Sequence, residues 1–272
     1  MSSSSISKTP QAEAVRRAAV VTHGKPERIG DAVERLARCA EQFGVQLTGE
    51  EPAGTDVVIV LGGDGTMLRA LQASLESRTP VFGVNFGRVG FLTSAAGRDL
   101  EQAVGRVFRG DFRTVALPTL TVETSGRRAS AVNDVVVTSS LPGRMVELQW
   151  EVGGENLGLQ PCDGVICASP TGSTAYNLSN GGPVVMWGLE AIAITFVAPH
   201  SLHARPLVVP DGVEVRITNR TIDVPATVTA DGHRVGELGE GDAVTVRIGG
   251  DPALLALLPE VTFFSRYHEA FP

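Results

Sequence analysis

The sequence is short of cysteine and has no excess of positive charge. Its 272 residues include three cysteines, Cys39, Cys162 and Cys167, an odd number without metal-ligand spacing. Neither a disulfide framework nor a zinc site is therefore expected, and a reducing compartment fits. The formal net charge is −7. Because nucleic acids and anionic membranes attract basic surfaces, we expect neither as a main partner.

Long hydrophobic runs and the common nucleotide motifs are also missing. No apolar run reaches the length that crosses a membrane, and residues 1–7, Met-Ser-Ser-Ser-Ser-Ile-Ser, lack the hydrophobic segment of a signal peptide. We therefore expect a cytoplasmic protein with a disordered tail over residues 1–15. Neither a Gly-x-Gly-x-x-Gly fingerprint nor a Walker loop occurs. If nucleotides bind, they bind by another route.

A glycine-rich motif, Gly-Gly-Asp-Gly-Thr at residues 62–66, follows the apolar run Val57–Leu61. Such a run is typical of a strand buried on both faces of a parallel sheet, and the glycines allow a sharp turn into a helix beginning near Met67. Backbone N–H groups at a helix start bind phosphate oxygens. The candidate phosphate cradle therefore consists of Gly62, Gly63, Gly65 and Thr66.

One residue of this motif, Asp64, does not suit a plain phosphate cradle. A carboxylate repels a polyanion, so its presence indicates work on a metal ion or on a hydroxyl proton. The structural alternative is a tight turn in which Asp64 caps the following helix.

The first part of the chain alternates short apolar runs with helical patterns. Strands are predicted over 18–22, 56–61 and 81–84, and helices over about 29–43 and after Asp64. This alternation predicts a parallel sheet covered by helices, with ligands at the carboxyl ends of its strands.

After Gly110 the pattern changes to short alternating β-branched runs, which are typical of an antiparallel sandwich. The runs cover residues 119–124, 131–138, 146–152, 213–218, 226–230 and 243–248. We expect an α/β domain over 16–115 and a β-sandwich domain over 116–250. A final segment, 251–272, is apolar enough to pack back on the first domain.

Three polar features stand out in the second part. Residues 169–176, Ser-Pro-Thr-Gly-Ser-Thr-Ala-Tyr, offer many hydroxyl donors to a polar ligand, although their composition alone favours a capped helix. Asn133 and Asp134 interrupt the apolar strand expected over 131–138, so at least one of them needs a polar partner. Asp-Gly pairs at Asp163 and Asp231, among others, are typical of turns.

Nucleophile and metal sites are poorly supported. Ser173 lacks the Gly-x-Ser-x-Gly elbow of a hydrolase. His200 and His203 are three residues apart, but Pro199 and Pro206 flank them and favour a loop. No fixed protein metal site is predicted.

Several segments carry a resemblance when taken in order. They are Gly62 to Ala70, Gly83 to Leu92, Asn133 to Val136, Asp163-Gly164, Ser169 to Tyr176, Gly181 to Pro183 and Pro199 to Leu207. Over about residues 18–250 they resemble the bacterial NAD kinase family. The Gly-Gly-Asp-Gly-Thr element is shared with diacylglycerol and sphingosine kinases, whereas the segment Pro170 to Tyr176, with Asn133-Asp134, is much more specific.

The resemblance implies the NAD kinase and diacylglycerol kinase-like fold, with an active site between an α/β domain and a β-sandwich domain. It also implies transfer of the γ-phosphate of ATP, or a phosphate of polyphosphate, to the 2′-hydroxyl of the adenosine ribose of NAD, which gives NADP. Mg²⁺ or another divalent cation accompanies ATP, and the protein is expected as a homodimer or homotetramer.

The resemblance further assigns roles by position. It implies that Asp64 accepts the hydroxyl proton, that the backbone of Gly65 approaches the nucleotide, and that Arg69 faces phosphate. It implies that Asn133 and Asp134 contact the adenosine and that Asp163 contacts the nicotinamide end. The residues implied to enclose adenine and ribose are Thr174, Ala175, Tyr176, Asn177, Leu178 and Ser179. Those implied to line the pocket are Arg144, Ala198 and His233.

The chain departs from its relatives at a few positions. Asp134 stands where many have Glu, which shortens the reach of the carboxylate by about a methylene. His233 stands where an amide is common in relatives, and Pro161 stands where the residue varies among them. Two alternatives remain open from the sequence: a lipid or sphingoid-base kinase, which would share Asp64, and a non-catalytic dinucleotide sensor, which would not need it.

Overall fold

The structure, a computed structural model, describes residues 13–23, 27, 29–87, 90–201 and 203–271. The chain forms two compact units, one running to Val115 and resuming at Leu254, the other spanning Ala116–Ala253. Most of the tail expected over residues 1–15 lies outside the described residues. Val15, however, is buried and donates its N–H to the carbonyl of Phe108 at 3.0 Å. The packed chain therefore starts before residue 16.

Five helices are assigned among the described residues. They are α1 (Ala32–Phe43), α2 (Asp64–Ala73), α3 (Leu100–Phe108), α4 (Tyr176–Ser179) and α5 (Phe263–Ala270). Two 3₁₀ turns, Gly97–Asp99 and Gly172–Thr174, precede α3 and α4. Within the same part of the chain, no helix is long and apolar enough to cross a membrane.

The strands number nineteen in the described part of the chain. They are β1 (Arg17–Thr22), β2 (Gln46–Thr48), β3 (Val57–Leu61), β4 (Val81–Asn85), β5 (Ala95–Ala96), β6 (Arg113–Leu117), β7 (Leu120–Thr124), β8 (Arg127–Ala131), β9 (Asp134–Ser139), β10 (Val146–Val152), β11 (Glu155–Cys162), β12 (Gly164–Ala168), β13 (Ala191–Val197), β14 (Leu207–Pro210), β15 (Val215–Asn219), β16 (Ala226–Ala230), β17 (His233–Leu238), β18 (Ala243–Ile248) and β19 (Ala253–Leu257).

The first unit is built on one sheet in the order β2-β1-β3-β4-β19-β6, with β5 beside β4. The pairs β1–β2, β1–β3, β3–β4 and β4–β19 are parallel. All five residues of β3 are fully buried, as expected for a strand covered on both faces. The carboxyl ends of β1, β3 and β4 consequently meet at one edge of the sheet.

Residues after 252 return to the first unit. Leu255 of β19 lies opposite Val81 of β4, and α5 follows. The side chain of Thr262 accepts the N–H of Ser265 at 3.1 Å, and the Ser265 hydroxyl accepts the N–H of Thr262 at 2.9 Å. This reciprocal capping fixes where α5 begins.

The second unit is a sandwich of two six-stranded antiparallel sheets. One sheet has the order β11-β10-β15-β18-β7-β8 and the other the order β14-β13-β12-β9-β16-β17. Inward-facing residues of both sheets, such as Leu148 and Ile217 from one and Val137 and Val165 from the other, form one buried cluster. Buried and partly exposed residues alternate along strands such as β16 and β18, whereas β12 and β13 are buried along nearly their whole length.

The strand expected over 131–138 is confirmed for residues 134–138 but is wrong for its first three residues. The chain leaves β8 of one sheet at Ala131 and enters β9 of the other sheet at Asp134. The N–H groups of Val132 and Asn133 bond to the carboxylate of Asp231 instead of to a neighbouring strand. The polar pair therefore marks a crossing between sheets.

Candidate functional site

One candidate region is a cavity of about 450 Å³ in the first unit. It lies where β1, β3 and β4 end, because His23 follows β1, Gly62 follows β3, and the segment 85–87 ends β4. Ligands bind at this edge in open parallel sheets. The expected position of the ligand relative to the strands is therefore matched by a cavity.

The cavity brings together residues that the sequence predicted for phosphate. Its lining contains Arg69 and all four members of the expected cradle, Gly62, Gly63, Gly65 and Thr66. The guanidinium of Arg69 donates to the carbonyl of Thr22, the last residue of β1, at 2.8 Å. This bond holds a positive charge beside the start of α2, where the first N–H groups lack intrahelical partners.

The sequence reasoning missed Ile29 and Gly87 of this lining, and also three residues at the ends of strands: His23, Asn85 and Phe86. The side-chain oxygen of Asn85 accepts the N–H of Gly87 at 2.9 Å, which turns the chain at the end of β4. Their position directly after apolar strands was the available signal, since strand ends at a shared edge converge on one place.

The carboxylate of Asp64 turns toward residues 90–92. One oxygen accepts the N–H of Phe91 at 2.9 Å and the other accepts the N–H of Leu92 at 3.1 Å. Gly90 lies so close that a Cβ there would overlap the carboxylate. Asp64 is the first residue of α2 but has no side-chain capping bond, and the cap position belongs to Gly63. The helix-capping alternative therefore does not account for this carboxylate.

A separate candidate region, in the second unit, is the sheet crossing at Asn133 and Asp134. Asp231, in the turn between β16 and β17, accepts the N–H groups of Val132 at 2.7 Å, Asn133 at 2.7 Å and Asp134 at 3.0 Å. Its own N–H donates to the carbonyl of Asp134 at 2.9 Å. The Asp-Gly pair at 231 is thus a turn, as expected, but one that also fixes the two predicted adenosine contacts.

The two polar side chains at this crossing have unusual environments. The side-chain oxygen of Asn133 is buried and has no hydrogen-bond partner among the described residues. Asp134 is 7% exposed. Burial raises the pKa of Asp134 to about 7, and the negative charge of Asp231 adds to the increase. This crossing therefore offers an acceptor that needs a donor and a carboxyl group that readily holds a proton.

Most hydroxyl side chains of the segment 169–174 are buried in the protein, whereas the sequence suggested that they face a ligand. The hydroxyl of Ser169 donates to the carbonyl of Val132 at 2.5 Å, and that of Ser173 donates to the carbonyl of Pro170 at 2.6 Å. Both serines are completely buried. The expectation that these hydroxyls donate to a ligand is wrong for Ser169 and Ser173, because both already donate to backbone carbonyls.

The same segment is locked against the sheet crossing. The N–H of Ser169 donates to the carbonyl of Asn133 at 2.8 Å. A Cβ on Gly172 would overlap the backbone of Asn133, so only glycine allows this close approach. The segment and the crossing consequently form one rigid wall.

The residues expected to enclose adenine and ribose divide into two groups. Thr174, Ala175 and Leu178 are half-buried, while Tyr176 and Ser179 are exposed. Asn177 has no exposed surface, and its amide bonds to Ser173, Pro183 and Thr195. Its side chain shapes the wall and does not face solvent.

The remaining predicted residues lie at both ends of the sheet that contains β12. His233 starts β17, beside Asp231, and Ala168 of β12 pairs with Asp134. At the other end of β12, Asp163 donates its N–H to Val197, the neighbour of Ala198, at 3.0 Å. Arg144 is exposed in the loop before β10. The five residues of β12 extend over about 13 Å, which is the distance between its two ends.

In the part of the chain that the structure describes, no group of three or more His, Cys, Asp or Glu side chains could hold a metal ion. His200 and His203 lie outside helices and strands, in the loop between β13 and β14.

Family models match both units. A model of the ATP-NAD kinase N-terminal domain matches residues 8–112, and a model of the ATP-NAD kinase C-terminal domain matches residues 132–257. The chain belongs to the NAD kinase family. Its activity is that of a kinase that phosphorylates NAD to NADP, and no match favours the lipid-kinase or sensor alternative.

Relatives agree with this assignment over most of the chain. The NAD kinase of Gemmatimonas aurantiaca is 42% identical over 243 residues, which are 86% of this chain and 82% of that protein. The NAD kinase of Heliobacterium modesticaldum is 42% identical over 214 residues, 77% of this chain and 76% of that protein.

Solved structures confirm the fold class. An NAD kinase from Archaeoglobus fulgidus in complex with ATP is 28% identical, covers 93% of this chain and 99% of its own, and has a TM-score of 0.79. Yeast NADH kinase complexed with NADH has a TM-score of 0.81 at 22% identity, with coverage of 94% and 87%, and shows the fold alone. The predicted NAD kinase fold, an α/β domain followed by a β-sandwich, is confirmed.

Proposed function

We propose that Asp64 orients the 2′-hydroxyl of the adenosine ribose of NAD and accepts its proton as the γ-phosphate of ATP is transferred to that oxygen. The observation that carries the proposal is the Asp64 carboxylate, held by two backbone N–H groups beside the phosphate-cradle cavity. Each carboxylate oxygen retains acceptor capacity after one N–H bond. Asp64 can therefore still accept a hydrogen bond from a substrate hydroxyl.

The cavity residues suit the phosphoryl group. Phosphoryl transfer has a loose transition state, so alignment and neutralisation of phosphate oxygens supply most of the catalysis. The backbone of Gly63 and Gly65 and the cation of Arg69 line the cavity. We assign these groups to the ATP phosphates, and the match to an NAD kinase solved with ATP supports ATP as the donor.

The sheet crossing suits the adenosine of NAD. The unpartnered oxygen of Asn133 can accept from the exocyclic amine of adenine, and Asp134 can exchange hydrogen bonds with ribose hydroxyls. We assign Thr174, Ala175 and Tyr176 to the adenine surface, because their side chains retain exposed area beside this crossing.

A divalent cation, Mg²⁺ or its equivalent, is proposed to arrive bound to ATP. Asp64 is the carboxylate nearest the cradle in sequence, and its spare acceptor capacity fits a shared role toward such an ion. When bound, the cation would neutralise phosphate oxygens.

We propose a homodimer or homotetramer. The edge strands β11 and β14 carry exposed apolar side chains, with Leu157 at 42%, Leu159 at 50% and Val208 at 45% exposure, which suits pairing with another copy. Light scattering on the purified protein measures the assembly.

The three buried cysteines are free thiols, and a reducing cytoplasmic compartment is proposed on that ground.

Asp163 is proposed to contact the nicotinamide end, either of an extended dinucleotide or of one bound mainly to a second copy. Asp163→Ala chains mixed with Asp64→Asn chains distinguish the two arrangements. Activity restored by mixing requires Asp163 to act on a partner's site, whereas activity that stays at the level of the separate variants places both residues in one site.

The function itself is tested by incubating the purified protein with NAD, ATP and Mg²⁺ and measuring NADP. We expect NADP formation, and we expect no phosphorylation of a sphingoid base or diacylglycerol. Inorganic polyphosphate in place of ATP then tests the second donor. Absence of NADP with both donors would contradict the proposal.

A further inference from the structure

An aromatic cluster in the first unit lies next to the residues that hold Asp64. It consists of Phe91 and three residues of the segment 263–271: Phe263, Tyr267 and Phe271. The ring centroid of Phe91 is 6.2 Å from that of Phe263 and 5.8 Å from that of Phe271, and Tyr267 lies 4.9 Å from Phe271. Phe91 is therefore held from two sides by a segment more than 170 residues away in sequence.

The backbone N–H of Phe91 is also one of the two donors to the Asp64 carboxylate. Phe91 donates its N–H to one carboxylate oxygen and Leu92 donates to the other. The backbone of Gly90 lies so close to the carboxylate that no side chain would fit there. Because the ring and the N–H belong to the same residue, the packing of the ring constrains the position of the donor.

We infer that the aromatic cluster positions the Asp64 carboxylate for catalysis, with Phe263 and Phe271 acting as positioning residues through Phe91. The inference rests on the proposed catalytic role of Asp64. It gives the segment 263–271 a role in the reaction, although that segment is far in sequence from the Gly-Gly-Asp-Gly-Thr motif.

Burial within the cluster argues for positioning beyond simple core packing. Phe91 and Phe263 are 7% and 8% exposed, whereas Tyr267 and Phe271 are 43% and 37% exposed. Removal of the half-exposed ring of Phe271 leaves the buried core of the first unit in place, so its main effect falls on the two rings that it contacts, those of Phe91 and Tyr267. A displacement of about 1 Å at a catalytic group can lower a rate by about 100-fold.

The chain provides a matched control. Phe43 is also 37% exposed, also lies in the first unit, and packs against Phe108 with centroids 6.1 Å apart. Phe43→Ala therefore removes the same ring with the same exposure, away from residues 90–92. We expect Phe43→Ala to keep kcat within about twofold of the unchanged protein.

The test compares Phe271→Ala, Phe271→Tyr and Phe43→Ala in the full chain, below the melting temperature of each. We expect Phe271→Ala to lower kcat by about 10-fold. KM for NAD and for ATP should stay within about twofold, and Phe271→Tyr should restore kcat because the ring is kept. Hydrogen exchange of the peptide containing residues 90–92 should accelerate in Phe271→Ala alone. Equal kcat in Phe271→Ala and Phe43→Ala would overturn the inference.

The same substitution in the Asp64→Asn variant distinguishes a failure of this inference from a failure of the proposed function. If the cluster acts through Asp64, adding Phe271→Ala to Asp64→Asn should lower the residual kcat by less than about twofold. If Phe271→Ala lowers kcat by a further 10-fold or so in the Asp64→Asn protein, as it does in the unchanged protein, the positioning role is overturned. If Asp64→Asn alone keeps normal turnover, the proposed function of Asp64 fails instead. Should Phe271→Ala not fold, Phe271→Leu replaces it, with the same expected loss of kcat and the same overturning result.

Discussion

The carboxylate of Asp231 accepts the backbone N–H of Asn133 at 2.7 Å, so a turn residue holds a predicted substrate contact 98 positions earlier in the chain. Asp231 also accepts the N–H groups of Val132 and Asp134, and it adopts a left-handed backbone conformation with φ 47°. The crossing between the two sheets of the sandwich is thus set by a residue outside both strands that it joins.

Asp231→Asn is expected to destabilise the protein and weaken NAD binding. An amide tolerates the left-handed backbone, but its NH₂ group replaces one acceptor and faces a backbone N–H donor. We expect a loss of about 1–3 kcal/mol in the free energy of unfolding and a higher KM for NAD. Urea denaturation and kinetics measure both. Asp211→Asn, in an exposed Asp-Gly turn, is the control and should change neither.

The buried carboxyl of Asp134 predicts a pH dependence of stability. Its pKa is about 7 in the folded protein, above its ordinary value of about 4 in an unfolded chain. Between these values the folded chain keeps a proton that the unfolded chain has lost, so this contribution to stability falls as the pH rises from about 4 to about 7 and is constant above.

Asp134→Asn isolates that contribution, because the amide does not titrate. The free energy of unfolding of the unchanged protein minus that of the variant should decrease by about 2 kcal/mol between pH 5 and pH 7.5. Urea denaturation without nucleotide at the two pH values measures it. A difference that stays constant or increases with pH would contradict the environment described for Asp134.

Asp64→Asn should lower kcat by about 100-fold or more while KM for NAD changes little, the pattern of an interaction made in the transition state. An amide supplies one acceptor where the N–H groups of Phe91 and Leu92 require two, so some disorder of residues 90–92 is also expected. Hydrogen exchange of that peptide measures the structural part. Turnover comparable to the unchanged protein would remove Asp64 from the catalytic role.

Asn133→Ala should affect NAD more than ATP. If adenine donates to the buried side-chain oxygen of Asn133, removing that oxygen should cost about 1–3 kcal/mol in kcat/KM for NAD. Because the bonds from Asp231 go to the backbone, the crossing itself should persist. Calorimetric titration with NAD and with ATP checks this. Equal losses for both nucleotides would mean that the site is misassigned.

Ala175→Leu tests the adenine surface. Ala175 is half-buried at the start of α4, and a larger side chain there would occupy space that adenine needs. We expect KM for NAD to rise at least tenfold, whereas a lipid acceptor would gain apolar contact. Native thermal stability together with a near-normal KM would make the segment 170–176 a purely structural turn.

The fold class follows from local patterns. The five apolar residues of β3 and the glycines after it predict a parallel sheet, and the β-branched runs predict the sandwich. The edge strand β11, Glu-Asn-Leu-Gly-Leu-Gln-Pro-Cys, was missed because it is mostly exposed and contains a glycine and a proline, which are uncommon in strands. Edge strands of this kind carry little periodic signal.

The site was predictable only where it is local in sequence. The cradle residues and Arg69 lie within one turn and helix, so their convergence on one cavity follows from spacing. The bonds from Asp231 to Asn133 and from Phe91 to Asp64 join residues 98 and 27 positions apart. No periodicity encodes such pairs, because they depend on how whole strands and loops pack.

The hairpin tip at Asp231 also matters for protein engineering. A short, exposed Asp-Gly turn between two strands is where a tag, a fluorophore loop or new chain termini would ordinarily be placed. In this chain an insertion there would separate the Asp231 carboxylate from three backbone N–H groups and release the crossing between the sheets. The exposed turn between β14 and β15, at Asp211 and Gly212, offers a safer attachment point.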